Sequence, residues 1–346
     1  MKVAVIGTGS WGTALAKVLS ENQHEVMIWG RKESIVDEIN ERYTNESYLP
    51  EVSLPENIRA TTSLEESIQR ASMILLVIPT NAIRQIANQI NQLLEPNATY
   101  KPIIVHASKG LEMTSELRIS EVIEEVMDED SYQALVVLSG PSHAEEVSRR
   151  DVTTLTAASH SLEAAQIVQQ AFMNNYFRVY TNVDVIGVEL GGALKNIIAV
   201  GAGIIDGLDY GDNAKAALIT RGLAEISRLG VAMGADPLTF IGLSGVGDLI
   251  VTCTSPHSRN FRAGRLIAKG YNINEVNQEI NMVVEGVLTV KVAYQLAKEH
   301  NIDMPITEML YRALYQDEGI TVQSAIEELM LREGKPEQLL DNQIKN

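Results

Sequence analysis

Residues 2–16 read KVAVIGTGSWGTALA, and this stretch decides the fold. Four of its first six residues are apolar, glycines fall at Gly7, Gly9 and Gly12, and an alanine-rich stretch follows. Glycine weakens a regular element by roughly 0.5–1 kcal/mol relative to alanine, so three at this spacing need a reason. The apolar run predicts a strand over 2–6, and the residues from Gly12 predict a helix over 12–20. Placed between them, G-x-G-x-x-G permits a tight turn, lets backbone approach a pyrophosphate, and packs helix on strand. The free N–H groups and dipole at the helix start then hold the anion. No G-K-[ST] follows, so this is not an NTPase loop. The stretch predicts the first βα turn of a dinucleotide-binding domain.

The second predicted strand, HEVMIWG (24–30), ends in WGRKES. An NAD site usually carries Asp or Glu there, about 20 residues past the glycines, for the ribose 2′-hydroxyl. Here Arg31 and Lys32 stand instead. A cation at this place pairs with a 2′-phosphate, so NADP(H) is the preferred cofactor expected, with NAD(H) as the second choice. A solvated turn is the plainer alternative. The missing carboxylate also counts against S-adenosylmethionine.

Farther along, a charged helix starts near Ser34. NIRATTSLEESI holds a short strand and a helix capped near Thr62 or Ser63, with Glu65 and Glu66 in its first turn. SMILLVIPT is a continuous apolar run, as expected of a strand buried on both faces. KPIIVHASKG and YQALVVLSGPS repeat the pattern, and VTTLTAAS and FRVYTNVD add two more strands. Strands alternating with helices imply right-handed crossovers and a parallel sheet. After about residue 185 the strand signals stop. Helical periodicities follow at 188–206, 212–230, 236–242, 260–269, 275–280, 286–300 and 305–315. The expected organisation is a dinucleotide-binding Rossmann-type α/β domain over 1–185, a helical substrate-binding domain over 186–335, and a flexible tail over 336–346.

A chain of 346 residues suits about two domains, and 45% apolar with 21% charged residues is an ordinary globular balance. The formal net charge of −17 argues against a nucleic-acid or anionic-membrane surface, since both need clustered Lys and Arg. A small anionic ligand is still compatible, because a few local cations can dominate a cleft. The single Cys253 excludes an intrachain disulfide and suits a reducing cytoplasm. The six histidines and Cys253 show no metal-ligand spacing, so no metal is expected. The first residues lack the basic-then-apolar order of a signal peptide, so none is expected. Residues 185–205 are apolar enough to resemble a membrane span, yet Glu189, Lys195 and Asn196 sit inside it. Charges are costly in lipid, so a helix buried in protein is the better reading.

That helix carries the candidate chemistry. A buried ammonium tends to lose its proton, and a lysine with a depressed pKa suits proton transfer. Lys195 is the candidate for protonating a ketone oxygen during hydride delivery; a simple ion pair with Glu189 is the alternative. Lys109, in HASKG, follows a strand's carboxyl end, where open α/β sheets bind ligands. It can orient the same oxygen and lower the pKa of Lys195 by like-charge repulsion. Asp248 follows a glycine-rich turn. PHSRN then leads into a helix with Ser258 as its cap, where Arg259 and Asn260 beside helix N–H groups make an anion site. A solvated helix start is the alternative. Glu285, in VVEGV, is a weaker candidate for a cofactor contact.

Taken together, GTGSWGTALA, SKG, LSGPSHAEEV, ELGGALKNIIAVGAGIIDGL, GDNAKAALITRGLAEI, GVGDLIVTCTSPHSRNFRAG and VVEGV closely resemble bacterial NAD(P)-dependent glycerol-3-phosphate dehydrogenases. The resemblance keeps order and spacing over almost the whole chain, leaving out about the last 15 residues, a polar tail of the disordered type. It implies interconversion of sn-glycerol 3-phosphate and dihydroxyacetone phosphate, which supplies the backbone of membrane phospholipids. It also implies a C-terminal domain like that of 6-phosphogluconate dehydrogenase, and it is compatible with a homodimer. Lys195 matches the family's proton-transfer lysine. Lys109, Gly140, Ser142, Asp248, Ser258, Arg259 and Asn260 match positions around the substrate. Ser10, Trp11, Arg31, Lys109, Ala144, Arg259, Val283 and Glu285 match cofactor contacts. His143 departs from the pattern, since the family often has Phe there, which makes that wall more polar.

Two other functions fit parts of this pattern. A 3-hydroxyacid dehydrogenase of the same wider group also uses a lysine on such a helix, with a substrate carboxylate replacing the phosphate. A non-catalytic redox sensor would bind the dinucleotide and a protein partner, but it would need no Lys195, Asp248 and Arg259 together.

Overall fold

The computed structural model describes residues 1–94, 101–280, 283–316, 320–334 and 337. The expected flexible tail therefore lies outside the described residues, apart from Glu337. The described chain forms two compact units: Met1–Ser108 with Leu117–Val185, and Lys109–Glu116 with the residues from Ile186 onward. The short segment Lys109–Glu116 thus joins the second unit, although it lies between strands of the first.

In the first unit, eight strands form one sheet: β1 (Lys2–Ile6), β2 (Glu25–Trp29), β3 (Ile58–Thr61), β4 (Met73–Leu76), β5 (Ile103–His106), β6 (Ala134–Ser139), β7 (Thr153–Ala158) and β8 (Phe177–Asn182). Its order is β3-β2-β1-β4-β5-β6-β7-β8. The intervening helices are α1 (Ser10–Glu21), α2 (Glu33–Arg42), α3 (Leu64–Ile68), α4 (Thr80–Leu93), α5 (Ile119–Val126), α6 (Ala144–Ser148) and α7 (Leu162–Phe172). The strand order, not the strand direction, reverses at β1, as in dinucleotide-binding folds, where ligands sit at the strands' carboxyl ends. Every residue of β4 and β5 is buried, which is why these strands read as unbroken apolar runs. Ser63 caps α3 by accepting the Glu66 N–H, at the position the spacing anticipates.

One expectation is corrected. The sheet is not wholly parallel, because β7 runs antiparallel to β6 with Leu138 opposite Ala157. The connection between them carries only α6, five residues long. Such a helix rises roughly 7 Å, too little to return the chain along a strand of about 20 Å. The chain therefore turns back on itself.

The second unit is built from α8 (Val185–Gly207, beginning one residue before the unit boundary), α9 (Asp212–Ala232), α10 (Asp248–Thr254), α11 (Arg259–Ala268), α12 (Ile273–Ile280), α13 (Glu285–Glu299), α14 (Pro305–Tyr315) and α15 (Val322–Met330). The expected helix at 236–242 is a tight three-residue-per-turn segment, Pro237–Ile241, capped by the Asp236 carboxylate on the Leu238 N–H. Helices α10 and α15 were not foreseen from the sequence. Helix α8 is long and apolar enough to cross a membrane, but its most apolar 18-residue window is wholly buried within the protein.

Burial in this unit extends to a carboxylate. Glu225 of α9 accepts the backbone N–H of Ile306 and of Thr307, and the Thr307 hydroxyl, at the start of α14. Those groups would otherwise be orphan helix-end donors. Burial pushes its pKa up from 4.5 to about 7, against the opposing pull of these hydrogen bonds and of Arg228. The folded state thus holds a proton that the unfolded chain has already released, so this group's contribution to stability falls as pH rises through that window. Glu225→Gln cannot titrate. Its melting temperature minus that of the wild type should grow between pH 4.5 and 7, as read by thermal unfolding at several pH values. A constant difference would contradict the buried, proton-holding carboxyl.

Candidate functional site

In the first unit, the candidate residues gather at the carboxyl edge of the sheet. Gly7 follows β1 with φ +128°, a conformation open to glycine, and its N–H donates to the Trp29 carbonyl at 2.9 Å. A Cβ on Gly12 would lie 2.2 Å from the Gly7 carbonyl oxygen, so α1 can start this close to the turn only with glycine there. Gly9 caps α1, and nothing lies within 4 Å of where its Cβ would be. A bare backbone with open space above a helix start is what an approaching pyrophosphate needs. The residues present therefore fit a dinucleotide.

Around this turn, the Ser10 hydroxyl donates to the Tyr48 carbonyl at 2.6 Å. The Trp11 indole N–H is buried without a hydrogen-bond partner among the described residues. Gly30 follows β2 directly against Thr8, since a Cβ there would meet the Thr8 side chain at 2.4 Å. Arg31 and Lys32 follow at once and are exposed, with the Lys32 ammonium 5.9 Å from the Tyr48 ring centre. The glycine turn and the two cations thus share one edge. Gly140, Ser142 and Ala144 stand at the end of β6, where the Ser142 hydroxyl donates to the Gly140 carbonyl at 2.9 Å. His143 caps α6, and Ala144 is its first residue.

In the second unit, Lys195 lies midway along α8 and is 5% exposed. Its ammonium meets Asp248 Oδ1 at 2.5 Å and Thr252 Oγ1 at 2.6 Å. The other oxygen of Asp248 accepts from the Lys109 ammonium at 2.8 Å. One buried carboxylate therefore sits between two lysines. The simple pairing of Lys195 with Glu189 is not what forms.

Local packing explains the meeting. The carbonyl of Ser244 would be 2.5 Å from a Cβ on Gly191, so the turn before α10 presses onto α8 one helical turn before Lys195. Asp248 is the first residue of α10, and Thr252 follows one turn later on the same face. The Thr252 hydroxyl donates to the Asp248 carbonyl at 2.6 Å, which leaves its lone pairs toward Lys195. Thr252 was missed in the sequence, although D-x-x-x-T on a short helix is a readable signal.

Burial pushes the Lys195 pKa down from 10.5 to about 8, with Asp248 opposing and Lys109 adding to the fall. The repulsion expected from Lys109 is thus present. A neutral amine here can give its two N–H groups to Asp248 and Thr252 and keep a lone pair, while the ammonium has a third N–H to offer. Such a group takes or gives one proton near neutral pH. Cys253, next to Thr252, is buried with its thiol pushed up to about 12, so it stays a thiol.

The other second-unit candidates meet at the start of α11. The Ser258 hydroxyl caps it by accepting the Phe261 N–H at 3.2 Å. Arg259 is exposed and donates from Nη1 to the Val283 carbonyl at 3.2 Å. Asn260 is buried, its Nδ2 donating to Asn196 Oδ1 and its Oδ1 accepting the Gly286 N–H, each at 2.8 Å. Glu285 begins α13 beside that glycine. Asn196, the neighbour of Lys195, had no assigned role in the sequence reading. Among the described residues, no cluster of three His, Cys, Asp or Glu side chains suits a metal ion.

The chain is similar to known proteins along its length. Residues 2–165 match the family profile described as NAD-dependent glycerol-3-phosphate dehydrogenase N-terminus, and 184–327 match the corresponding C-terminus. The chain is 62% identical over 336 residues to glycerol-3-phosphate dehydrogenase [NAD(P)+] of Enterococcus faecalis, covering 97% of each chain. It is 57% identical to the Bacillus pumilus protein of the same name, covering 96% of this chain and 94% of that one. Among solved structures, glycerol-3-phosphate dehydrogenase from Coxiella burnetii superposes with a TM-score of 0.88 at 37% identity, covering 95% of this chain and 98% of that one.

The shared carboxylate makes a direct prediction. Asp248→Asn removes the charge that holds the Lys195 proton, while burial and the Lys109 repulsion stay. In an NMR titration of 15N-labelled lysine side chains, the Lys195 midpoint should drop below that of the wild type. An unchanged or higher midpoint would show that Asp248 does not set this ionisation.

Proposed function

The chain belongs to the NAD-dependent glycerol-3-phosphate dehydrogenase family, and from that premise we propose that it interconverts dihydroxyacetone phosphate and sn-glycerol 3-phosphate. The observation that carries this reading is the Lys195–Asp248–Lys109 cluster, with the capped start of α11 in the same unit. A nicotinamide dinucleotide, when bound, supplies or accepts the hydride at the substrate's central carbon.

Lys195, as the ammonium, gives its proton to the ketone oxygen; in the reverse direction the neutral amine takes it from the hydroxyl. Asp248 holds the Lys195 side chain in place and keeps its pKa from falling further. Lys109 is the second cation toward the developing oxyanion, where preorganised positive charge is most effective. Ser258, Arg259 and Asn260 present a helix start to the phosphate, whose binding fixes the carbonyl near Lys195. Gly140 and Ser142 complete the substrate contacts in this reading.

Gly7, Gly9, Ser10, Trp11 and Gly12 form the dinucleotide turn, with Ala144, Lys109, Arg259, Val283 and Glu285 as further cofactor contacts. Arg31 and Lys32 favour NADP(H) over NAD(H), since both are exposed beside the turn and no carboxylate stands at the end of β2. The product would serve as the backbone of membrane phospholipids. A cytoplasmic location suits the free, buried Cys253. The assembly we propose is a homodimer, as the family resemblance allows.

The test is dihydroxyacetone-phosphate-dependent oxidation of NADPH and NADH, run side by side. Turnover is expected with both and the higher kcat/KM with NADPH. Lys195→Met should lower kcat by about 10²–10⁴-fold with NADPH binding intact. Arg31→Asp should erode the NADPH preference by roughly 10–100-fold, the worth of one charge-assisted hydrogen bond. Near-normal turnover of Lys195→Met would refute the proton-transfer role, and an unchanged cofactor ratio in Arg31→Asp would refute the 2′-phosphate contact.

A further inference from the structure

We propose that Asn45 is a positioning residue for the dinucleotide turn, holding the Thr8 carbonyl inward so that the N–H of Gly9 faces the pyrophosphate. The inference rests on the reading of the turn from Gly7 to Gly12 as the pyrophosphate site. Asn45 lies in the connection between α2 and β3, yet it is wholly buried. Its Nδ2 donates to the Thr8 carbonyl at 2.8 Å and to Thr13 Oγ1 at 2.9 Å. The Thr13 hydroxyl, also buried, donates in turn to the Thr8 carbonyl at 3.3 Å. Two side chains therefore hold one backbone oxygen. Both Nδ2 hydrogens are engaged, and a flipped amide would set its oxygen against the Thr8 carbonyl oxygen, so the orientation of Asn45 is fixed.

Thr8 stands between Gly7 and Gly9, and its peptide bond to Gly9 is trans. In a planar trans peptide the C=O and the following N–H point opposite ways. With the Thr8 carbonyl held toward Asn45, the Gly9 N–H projects away from it. Gly9 caps α1, and an anion at a helix start is bound by such N–H groups. A peptide flanked by two glycines is also the one most able to rotate, because glycine restricts the backbone least. Asn45 removes that freedom before the cofactor arrives, so the ordering is not charged against binding.

The same segment grips the turn at a second place. The Asn45 carbonyl accepts the N–H of Tyr48 at 3.1 Å and of Leu49 at 2.7 Å, which closes residues 45–49 into a compact loop. Leu49 anchors this loop in the core of the sheet unit. The Tyr48 carbonyl then accepts the hydroxyl of Ser10, the first residue of α1, at 2.6 Å. The loop is thus fastened to the turn on both sides of Gly9. Arg31 and Lys32 take no part in these bonds. Asn45 therefore sets affinity for the pyrophosphate that both dinucleotides share, and not the choice between them.

The experiment measures the dissociation constants of NADPH and NADH by fluorescence titration. Adenosine 2′-monophosphate, which lacks the pyrophosphate, is measured by competition with NADPH. Asn45→Ala should weaken NADPH and NADH about tenfold each, the upper worth of one neutral hydrogen bond, with adenosine 2′-monophosphate within about twofold of wild type. Thr13→Val keeps nearly the same shape and removes the acceptor of Asn45. It should follow the same pattern, and it carries the test where Asn45→Ala does not fold. Thr13→Ser keeps the hydroxyl and should bind both dinucleotides within about threefold of wild type. Unchanged dinucleotide affinity in Asn45→Ala, a loss confined to NADPH, an equal loss for adenosine 2′-monophosphate, or a Thr13→Ser as weak as Thr13→Val would each overturn the proposal. A wild-type protein that binds neither dinucleotide would instead overturn the reading of the turn itself, so the two failures are distinguishable.

Discussion

The interaction on which the helical unit depends is the sharing of one buried carboxylate by two lysines, Lys195 fully buried and Lys109 partly so. Taking Lys195 out of water disfavours its charged form, and the Asp248 carboxylate only partly restores it. Because Asp248 is itself 1% exposed and shared with Lys109, neither partner can leave without stranding a charge. The close contact of Gly191 with the Ser244 carbonyl, the short α10 and the Thr252 hydroxyl all serve the same end, holding this trio at hydrogen-bond distance. A lysine poised near neutral pH is the consequence of that packing. Chemistry and architecture are thus the same constraint seen at two scales.

On the proposed reading, the two units would handle anions by different physics. The sheet unit offers backbone: a glycine turn with room above Gly9 and the start of α1. The helical unit offers side chains fixed by buried hydrogen bonds, as at Asn260 and Asn196, together with the capped start of α11. Backbone sites bind any pyrophosphate, so on the proposed reading the distinction between dinucleotides falls to the exposed pair Arg31 and Lys32 after β2. Side-chain sites place a reacting atom, and for that the amine of Lys195 needs a fixed distance to whatever holds the phosphate.

Much of this was legible in the sequence because it is local. The glycine spacing, the apolar runs of β4 and β5, the Ser258 cap and a lysine inside an apolar helix are patterns within about a dozen residues. What the sequence hid is relational. Asp248 and Lys195 are 53 positions apart, and only the packing of α10 on α8 decides that Asp248, and not Glu189, is the partner. The Asn196–Asn260–Gly286 chain spans three helices and has no local signature. The reversed strand β7 was missed because alternation of strands and helices says nothing about how short a helix is. The grouping of Lys109–Glu116 with the helical unit was hidden for a similar reason, since the flanking strands belong to the sheet.

The most direct measurement on the central claim is the pH dependence of kcat in the two reaction directions, with the wild-type enzyme at saturating substrate and cofactor. If the Lys195 amine carries the proton, ketone reduction needs it charged and alcohol oxidation needs it neutral. Reduction should therefore decline and oxidation rise through a common midpoint near the Lys195 pKa of about 8. Limbs that move in the same direction, or a midpoint at the ordinary lysine value of 10.5, would mean that another group moves the proton.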